Sequence, residues 1–277
     1  IVQGMKRGMQ LSVFLLLYSL SVFSQINRYG TPLISRFDAA ITPGELRNLC
    51  ITMDSRGVMY FGNEGGGIVT YDGSNWGIIR TPGTEAVSVL VTDTRGIVYA
   101  GGRNDFGWLH PDETGRLTYR SLASLIPGRD SSYTASAGTI TSAAADSYTV
   151  FMTDGKILYG IGADGDSVMV TDMEALYGTG NISALLSFDN RIIIADNEDG
   201  LFAYSNGELT RIQGGENIAS SRIVRLLPYD RDNLLLGDAA KGLRLFNIRT
   251  GKLSNLPEGG NEKRVKEAAL LTDLVLL

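Results

Sequence analysis

Leu49–Arg80 reads LCITMDSRGVMYFGNEGGGIVTYDGSNWGIIR, and much of it returns downstream. Asp54-Ser-Arg-Gly57 is answered 39 residues later by Asp93-Thr-Arg-Gly96, and Tyr60-Phe61-Gly62 at the same offset by Tyr99-Ala100-Gly101. Gly67 is answered at offset 40 by Gly107. A unit of this length, built of short strands and Gly turns, has the period of a propeller blade.

The grammar inside the unit agrees. Leu49–Met53 carries no charge, so it is expected to be buried on both faces, as the innermost strand of a blade is. Asp54-Ser-Arg-Gly57 offers an acceptor side chain to start a turn and a Gly to finish it. Val58–Phe61 is β-branched and aromatic, a second strand. Asn63-Glu64-Gly65-Gly66 is a turn, Gly67–Tyr71 a third strand, Asp72-Gly73 a hairpin signal and Trp76–Arg80 the outer strand.

Working outward, Val87–Leu122 is a second unit, with a helical turn expected within Ser121–Ile126 and a polar loop over Pro127–Gly138. The third unit matches less well: Ile140–Ala145, Thr149–Met152, Lys156–Ile161 and Ser167–Thr171. The fourth and fifth align with each other. Ile182–Asp189 matches Ile223–Asp230 at offset 41, and Ile192–Ala195 matches Leu234–Gly237 at offset 42. The expected fold is all-β, a propeller of four-stranded blades at 46–80, 86–122, 139–172, 181–213 and 222–256. Gly259–Leu277 breaks the pattern and is expected to be a divergent or truncated tail. The propeller then occupies 25–258, and five units fall short of a comfortable closed ring. Ser35-Arg36-Phe37 could supply an outer strand to the last blade.

Ile1–Gly4 precede the first Met and read as upstream frame. Lys6-Arg7 and the apolar run Leu11–Phe23 are a signal-peptide pattern, with cleavage expected between Ser24 and Gln25. The alternative is an uncleaved anchor; in both cases the body is exported.

The net charge of −5, with no basic block, excludes nucleic-acid binding by this portion. Cys50 is the only cysteine, so no intramolecular disulfide and no cysteine zinc site can form; in the inner strand it reads as a small buried hydrophobe. His110 is the only histidine, which excludes a His-based triad or a two-His metal site. Gly160-Ile-Gly162-Ala-Asp-Gly165 has the GxGxxG spacing but is followed by a strand-like stretch, so it reads as a hairpin turn. Asp164-Gly-Asp166 and Asp196–Asp199 lack the spaced ligand series of a calcium loop. Asn181-Ile-Ser183 matches a glycosylation acceptor at a strand start. No cofactor is expected.

Tyr60-Phe61-Gly62-Asn63, Tyr71-Asp72-Gly73 with Trp76, Asp105–Leu109 with Pro111-Asp112, and Leu227–Asp230 followed by Gly242-Leu243 resemble the two-component regulator propellers. These are extracytoplasmic sensor regions of bacterial signalling receptors, here of the subset carrying a triple-tyrosine domain. The resemblance covers about Tyr29 to Leu256. It implies a seven-bladed ring, of which this chain would hold about five blades. It also implies later immunoglobulin-like, membrane and output domains, which the sequence does not contain. The implied role is a non-catalytic, ligand-sensing module, periplasmic and tethered to the inner membrane in the full-length protein. A second copy of the chain, in a homodimer, stays open as a partner. The alternative is an exported propeller enzyme or surface-binding protein acting on polysaccharide, since fold does not decide function.

Because strands alternate in direction, the turns between second and third strands should share one rim. They are Asn63-Glu64, Arg103-Asn104-Asp105, Asn197-Glu198 and Lys241. Their amides and mixed charges suit a small polar extracytoplasmic ligand, such as an oligosaccharide or a sugar acid. Arg103 stands out because its planar fork can pair a carboxylate bidentately. Trp76 and Trp108 are expected to pack between blades.

Overall fold

The computed structural model describes residues 37, 41–45, 47–82, 86–126, 137–146, 148–178 and 180–256. The leader with its cleavage point, Ser35 and Arg36, most of the loop after Pro127, and the tail 259–277 lie outside the described residues. The elements below all belong to the unit Ala39–Leu277.

Five four-stranded antiparallel sheets follow one another as the blades of a propeller. Blade 1 is β1 (Asn48–Met53), β2 (Met59–Asn63), β3 (Ile68–Tyr71) and β4 (Trp76–Ile79). Blade 2 is β5 (Val87–Thr92), β6 (Val98–Asn104), β7 (Phe106–Pro111) and β8 (Leu117–Ser121). A short strand, β9 (Ala137–Thr139), returns to pair with the end of β6. Blade 3 is β10 (Ser142–Ala145), β11 (Val150–Thr153), β12 (Ile157–Ile161) and β13 (Val168–Asp172), followed by the one-turn helix α1 (Met173–Tyr177). Blade 4 is β14 (Ile182–Phe188), β15 (Arg191–Asp196), β16 (Gly200–Ser205) and β17 (Glu208–Arg211). Blade 5 is β18 (Ile223–Pro228), β19 (Asn233–Asp238), β20 (Gly242–Asn247) and β21 (Leu253–Asn255). The helical turn expected near Ser121 is a 3-10 turn at Ala123–Leu125. The GxGxxG stretch is the β12–β13 hairpin, closed by Gly165 N–H to Gly162 O at 2.9 Å.

Four apolar clusters among the described residues lie between consecutive blades, and side-chain alternation explains how one strand serves two of them. In β15, Ile192 and Ile194 join Phe151 and Leu158 of blade 3, while Ile193 and Ala195 join Leu234 and Phe246 of blade 5. Val150 and Met152 of β11 point back to Tyr99 and Phe106 of blade 2. A strand packed on both faces needs an unbroken apolar run, which is what Ile192-Ile-Ile-Ala195 supplies. Each fully buried Ile or Leu contributes roughly 1.5–3 kcal/mol.

Blade 1 departs from the expectation. Cys50 and Tyr60 join Val87 and Ala100 of blade 2. On the opposite face Leu49 and Ile51 are only half-buried and Met53 is 51% exposed. β1 is therefore buried on one face rather than two. Its uncharged sequence fits a two-sided strand, but only the blade 2 side carries one of the four clusters.

The inner strands share a second device. In four blades the residue after the strand's first position has no partner on the second strand: Leu49, Ser88, Ser183 and Val224. Such a bulge twists the strand and re-aims the extra residue. All four lie at the rim where inner strands begin, called here the upper rim.

Candidate functional site

The upper rim is held by a repeated backbone contact from one blade to the next. In blade 2 the Gly102 carbonyl, beside the β6–β7 turn, accepts from Ile140 N–H at 3.0 Å. The Gly155 carbonyl of blade 3 accepts from Ile182 N–H at 2.9 Å. In blade 4 the side chain of Asn197 takes the part: its Oδ1 accepts from Ile223 N–H at 3.1 Å, while its carbonyl accepts from Ser220 N–H at 2.7 Å. The starts of blades 3, 4 and 5 are thus each hung from the region of the second-to-third-strand turn of the preceding blade.

Between these contacts, across blades 3, 4 and 5, opens a cleft of about 660 Å³. Such a volume lies within the roughly 300–1,000 Å³ common for small-ligand clefts. Blade 3 contributes Asp154, Lys156, Asp172 and Glu174; blade 4 contributes Asn181, Ser183 and Asn197; blade 5 contributes Arg222 and Val224. Ser183 and Val224 are bulge residues, so the twist at the strand starts brings them to this surface.

The carboxylates on the blade 3 wall already have structural work. Asp154 Oδ1 accepts from Lys156 and Ile157 N–H at 3.1 and 2.9 Å, and its Oδ2 from the Tyr159 hydroxyl at 3.3 Å. Asp172 caps α1, accepting from Ala175 N–H at 2.8 Å. Glu174 accepts from Lys156 Nζ at 2.7 Å, and this partner holds the lysine ammonium above its ordinary range. Both members of that pair are more than half exposed. Opposite them, the Arg222 side chain is exposed and has no hydrogen-bond or ion-pair partner among the described residues.

Of the rim residues named from sequence, Asn197 lines this cleft. Glu198 stands just outside, accepting from Asn181 Nδ2 at 3.2 Å. The others are dispersed. Asn63 is fully buried: its Oδ1 accepts from Glu45 and Gly65 N–H, and its Nδ2 donates to Glu45 O and Asn48 Oδ1. Its amide anchors the lead-in to β1. Glu64 is exposed and pairs with Arg47 at 3.0 Å. Arg103 and Asn104 are exposed, and their backbone is paired with β9, Arg103 opposite Thr139 and Asn104 opposite Ala137. Asp105 is buried and accepts from Tyr119 and Ser121 hydroxyls at 3.2 and 2.6 Å. Burial first, and then the Asp105 charge, push the Tyr119 hydroxyl far above its ordinary range. Lys241 is exposed at the β19–β20 turn, its N–H given to Asp238.

Lys156 and Arg222 were missed because the third unit's turn, Asp154-Gly-Lys156, lacks the acidic-amide lettering of its neighbours, and Arg222 lies before a strand rather than in a turn. The bulge, which brings Val224 to the cleft, has no sequence signature. Trp108 does pack between blades 2 and 3, against Gly165. Trp76 stacks on Tyr71 of its own blade at 4.5 Å, near Phe61 at 5.8 Å.

A second opening, of about 400 Å³, lies where the inner strands run on, with Ile51, Leu90, Ala144, Leu186 and Leu227 from all five blades around it. Its wall is mainly apolar and small, and it offers fewer polar groups than the upper cleft.

No family model and no curated protein matches the chain. Solved structures do share its fold. The extracellular domain of BT4673 from B. thetaiotaomicron, assigned as a hybrid two component system, superposes with a TM-score of 0.55 at 18% identity over 79% of this chain. A second structure of that extracellular domain, there assigned to a one component system, gives 0.55 at 20% over 77%. The computationally designed Ika8 protein gives 0.52 at 15% identity, over 73% of this chain and 59% of that one. The chain spans 28% of the length of the BT4673 structures. At these identities the likeness is one of fold.

Proposed function

We propose that the chain is part of the extracytoplasmic, ligand-sensing propeller of a bacterial signalling receptor, of the two-component regulator propeller kind, and is itself non-catalytic. The observation that carries this reading is the superposition of four-fifths of the chain on the extracellular domain of BT4673. The motifs around Tyr60–Asn63, Tyr71–Trp76, Asp105–Leu109 and Leu227–Asp230 point the same way. The upper rim is the ligand face, because the bulges and turns there bring polar side chains of three blades to one cleft. The cleft's aspartates are engaged in turn and cap hydrogen bonds, which supports binding over acid–base chemistry.

The test is thermal melting of the full chain with a panel of neutral and acidic oligosaccharides, each mixture then chromatographed. A sensor raises its melting temperature with one class and leaves that ligand intact. Cleavage of the stabilising ligand would instead support an exported polysaccharide-acting enzyme.

A further inference from the structure

We infer that the upper-rim cleft takes a ligand bearing a carboxylate, and that Arg222 is the residue that pairs with it; the inference rests on the sensor reading above. Three observations converge on it. The first is the state of the charges. Lys156 is matched by Glu174 at 2.7 Å, whereas the Arg222 guanidinium meets no partner among the described residues. A guanidinium presents a planar row of donors whose best complement is a two-oxygen acceptor.

The second is what lies beside it. Asn197, also in the cleft, uses its Oδ1 to hold Ile223, the residue after Arg222. That bond orients the amide, and its Nδ2 has no partner among the described residues. The side of the cleft formed by Asn197 of blade 4 and Arg222 of blade 5 therefore offers donors with no acceptor among the described residues. The backbone of Arg222 is fixed as well, its carbonyl accepting from Ala239 N–H at 2.8 Å.

The third is the opposite wall. Asp172 uses one carboxylate oxygen for its cap and Glu174 one for Lys156, leaving Asp172 Oδ2 and Glu174 Oε1 facing no donor among the described residues. The cleft is polarised: the donors of Asn197 and Arg222, on the side of blades 4 and 5, have no acceptor among the described residues, while blade 3 carries spare carboxylate oxygens beside the Lys156–Glu174 pair. A ligand matching both carries a carboxylate at one end and hydroxyl or ammonium donors at the other. Sugar acids and amino acids share that chemistry.

Calorimetry on the full chain separates the two sources, with glucuronate- and galacturonate-containing oligosaccharides in one arm, free amino acids and short peptides in a second, and neutral oligosaccharides in a third. One acidic set is expected to bind, and the same compound with its carboxylate converted to an amide to bind at least tenfold more weakly. Arg222→Gln should lose at least tenfold, about 1.4 kcal/mol, with an unchanged melting temperature. Arg222→Lys, a point charge without the fork, should fall between. Arg103→Ala, on the same rim but outside the cleft, should bind as wild type. Unchanged affinity in Arg222→Gln, or no binding of any carboxylate at millimolar concentration, overturns the inference. Binding of a neutral oligosaccharide alone overturns it while the sensor reading stands. Breakdown of a bound acid with dependence on Arg222 does the reverse.

Discussion

Arg56 and Arg95 on the lower rim differ from Arg222 on the upper rim in one respect that separates structural from available charge. On the lower rim, where the inner strands end, Arg56 and Arg95 each close on an aspartate two residues earlier. Arg56 donates to Asp54 Oδ2 from Nε and Nη2 at 2.9 and 2.7 Å, and to the Tyr60 hydroxyl at 3.1 Å. Arg95 repeats the arrangement with Asp93 and Tyr99. The spacing Asp-x-Arg-Gly-x-x-Tyr encodes the whole clasp, because the turn brings all three side chains together. On the upper rim Arg222 follows two serines and finds no carboxylate at that spacing. The buried Asp238 on the same blade belongs to Arg244, which also donates to Ser221 at 3.0 Å. An arginine whose partners are written into its own turn is part of the fold. One whose neighbours are all taken is open to a ligand.

The sharpest way to break this comparison is to remove the partner of the arginine that is buried. Arg244 and Asp238 are almost wholly excluded from water. Asp238→Ala leaves that charge unpaired and also removes the acceptor for Ala240 and Lys241 N–H. A loss of about 3–5 kcal/mol is expected, read from urea unfolding of the full chain. A loss below about 1 kcal/mol would mean that Arg244 finds another partner and that pairing on this blade is interchangeable.

The lower-rim clasp should cost less and should carry a pH signature. Asp54 accepts from Arg56 and Val58 N–H, from the Arg56 side chain and from the Tyr60 hydroxyl. Burial pushes its carboxyl up, but these hydrogen bonds, led by that of Arg56, outweigh burial and hold it below its ordinary value of 3.8. A carboxylate with a depressed value stabilises the fold above its unfolded value, and the contribution is lost as pH falls through the folded one. Asp54→Ala should therefore cost about 2–3 kcal/mol at pH 7. The gap between wild type and Asp54→Asn should close as pH is lowered from 5 towards 2. A gap constant over that window would show that the charge of Asp54 adds nothing to its hydrogen bonds.

Blades 1 and 2 were legible because the clasp is encoded in consecutive residues, and blades 4 and 5 because they repeat each other, Ile182–Asp189 against Ile223–Asp230 and Ile192–Ala195 against Leu234–Gly237. Blade 3, whose inner strand Ser142–Ala145 is small and weakly patterned, matched the other units less well and was placed by four short strand-like stretches. β9 was hidden in a polar loop because its pairing with β6 is a long-range choice with no local signal. The rim was legible from strand alternation, but not the state of its side chains. Asn63 and Asp105 look like exposed turn residues in sequence and are buried acceptors in the fold. Arg103, chosen for its chemistry, sits where β9 pairs with its strand. Whether a polar residue faces solvent or the next blade depends on packing across about forty residues of chain, the length of one repeat, and no window of sequence reports it.

The smallest expected effect tests the comparison most directly, with matched truncations on the two rims. Arg56 is 64% exposed, so its ion pair with Asp54 is heavily screened, and Arg56→Ala should cost no more than about 1 kcal/mol. That loss should be coupled: in Asp54→Ala, removing Arg56 as well should cost almost nothing further. Arg222→Ala removes no intramolecular partner, so its stability should lie within about 0.5 kcal/mol of wild type, and should be insensitive to Asp238→Asn. Double-mutant cycles on both pairs, by urea unfolding, read the difference. Coupling at Asp54–Arg56 with none at Asp238–Arg222 keeps the two arginines in separate classes. Equal coupling would mean that Arg222 already has a partner within the fold, and the upper-rim cleft would then present no spare guanidinium to a ligand.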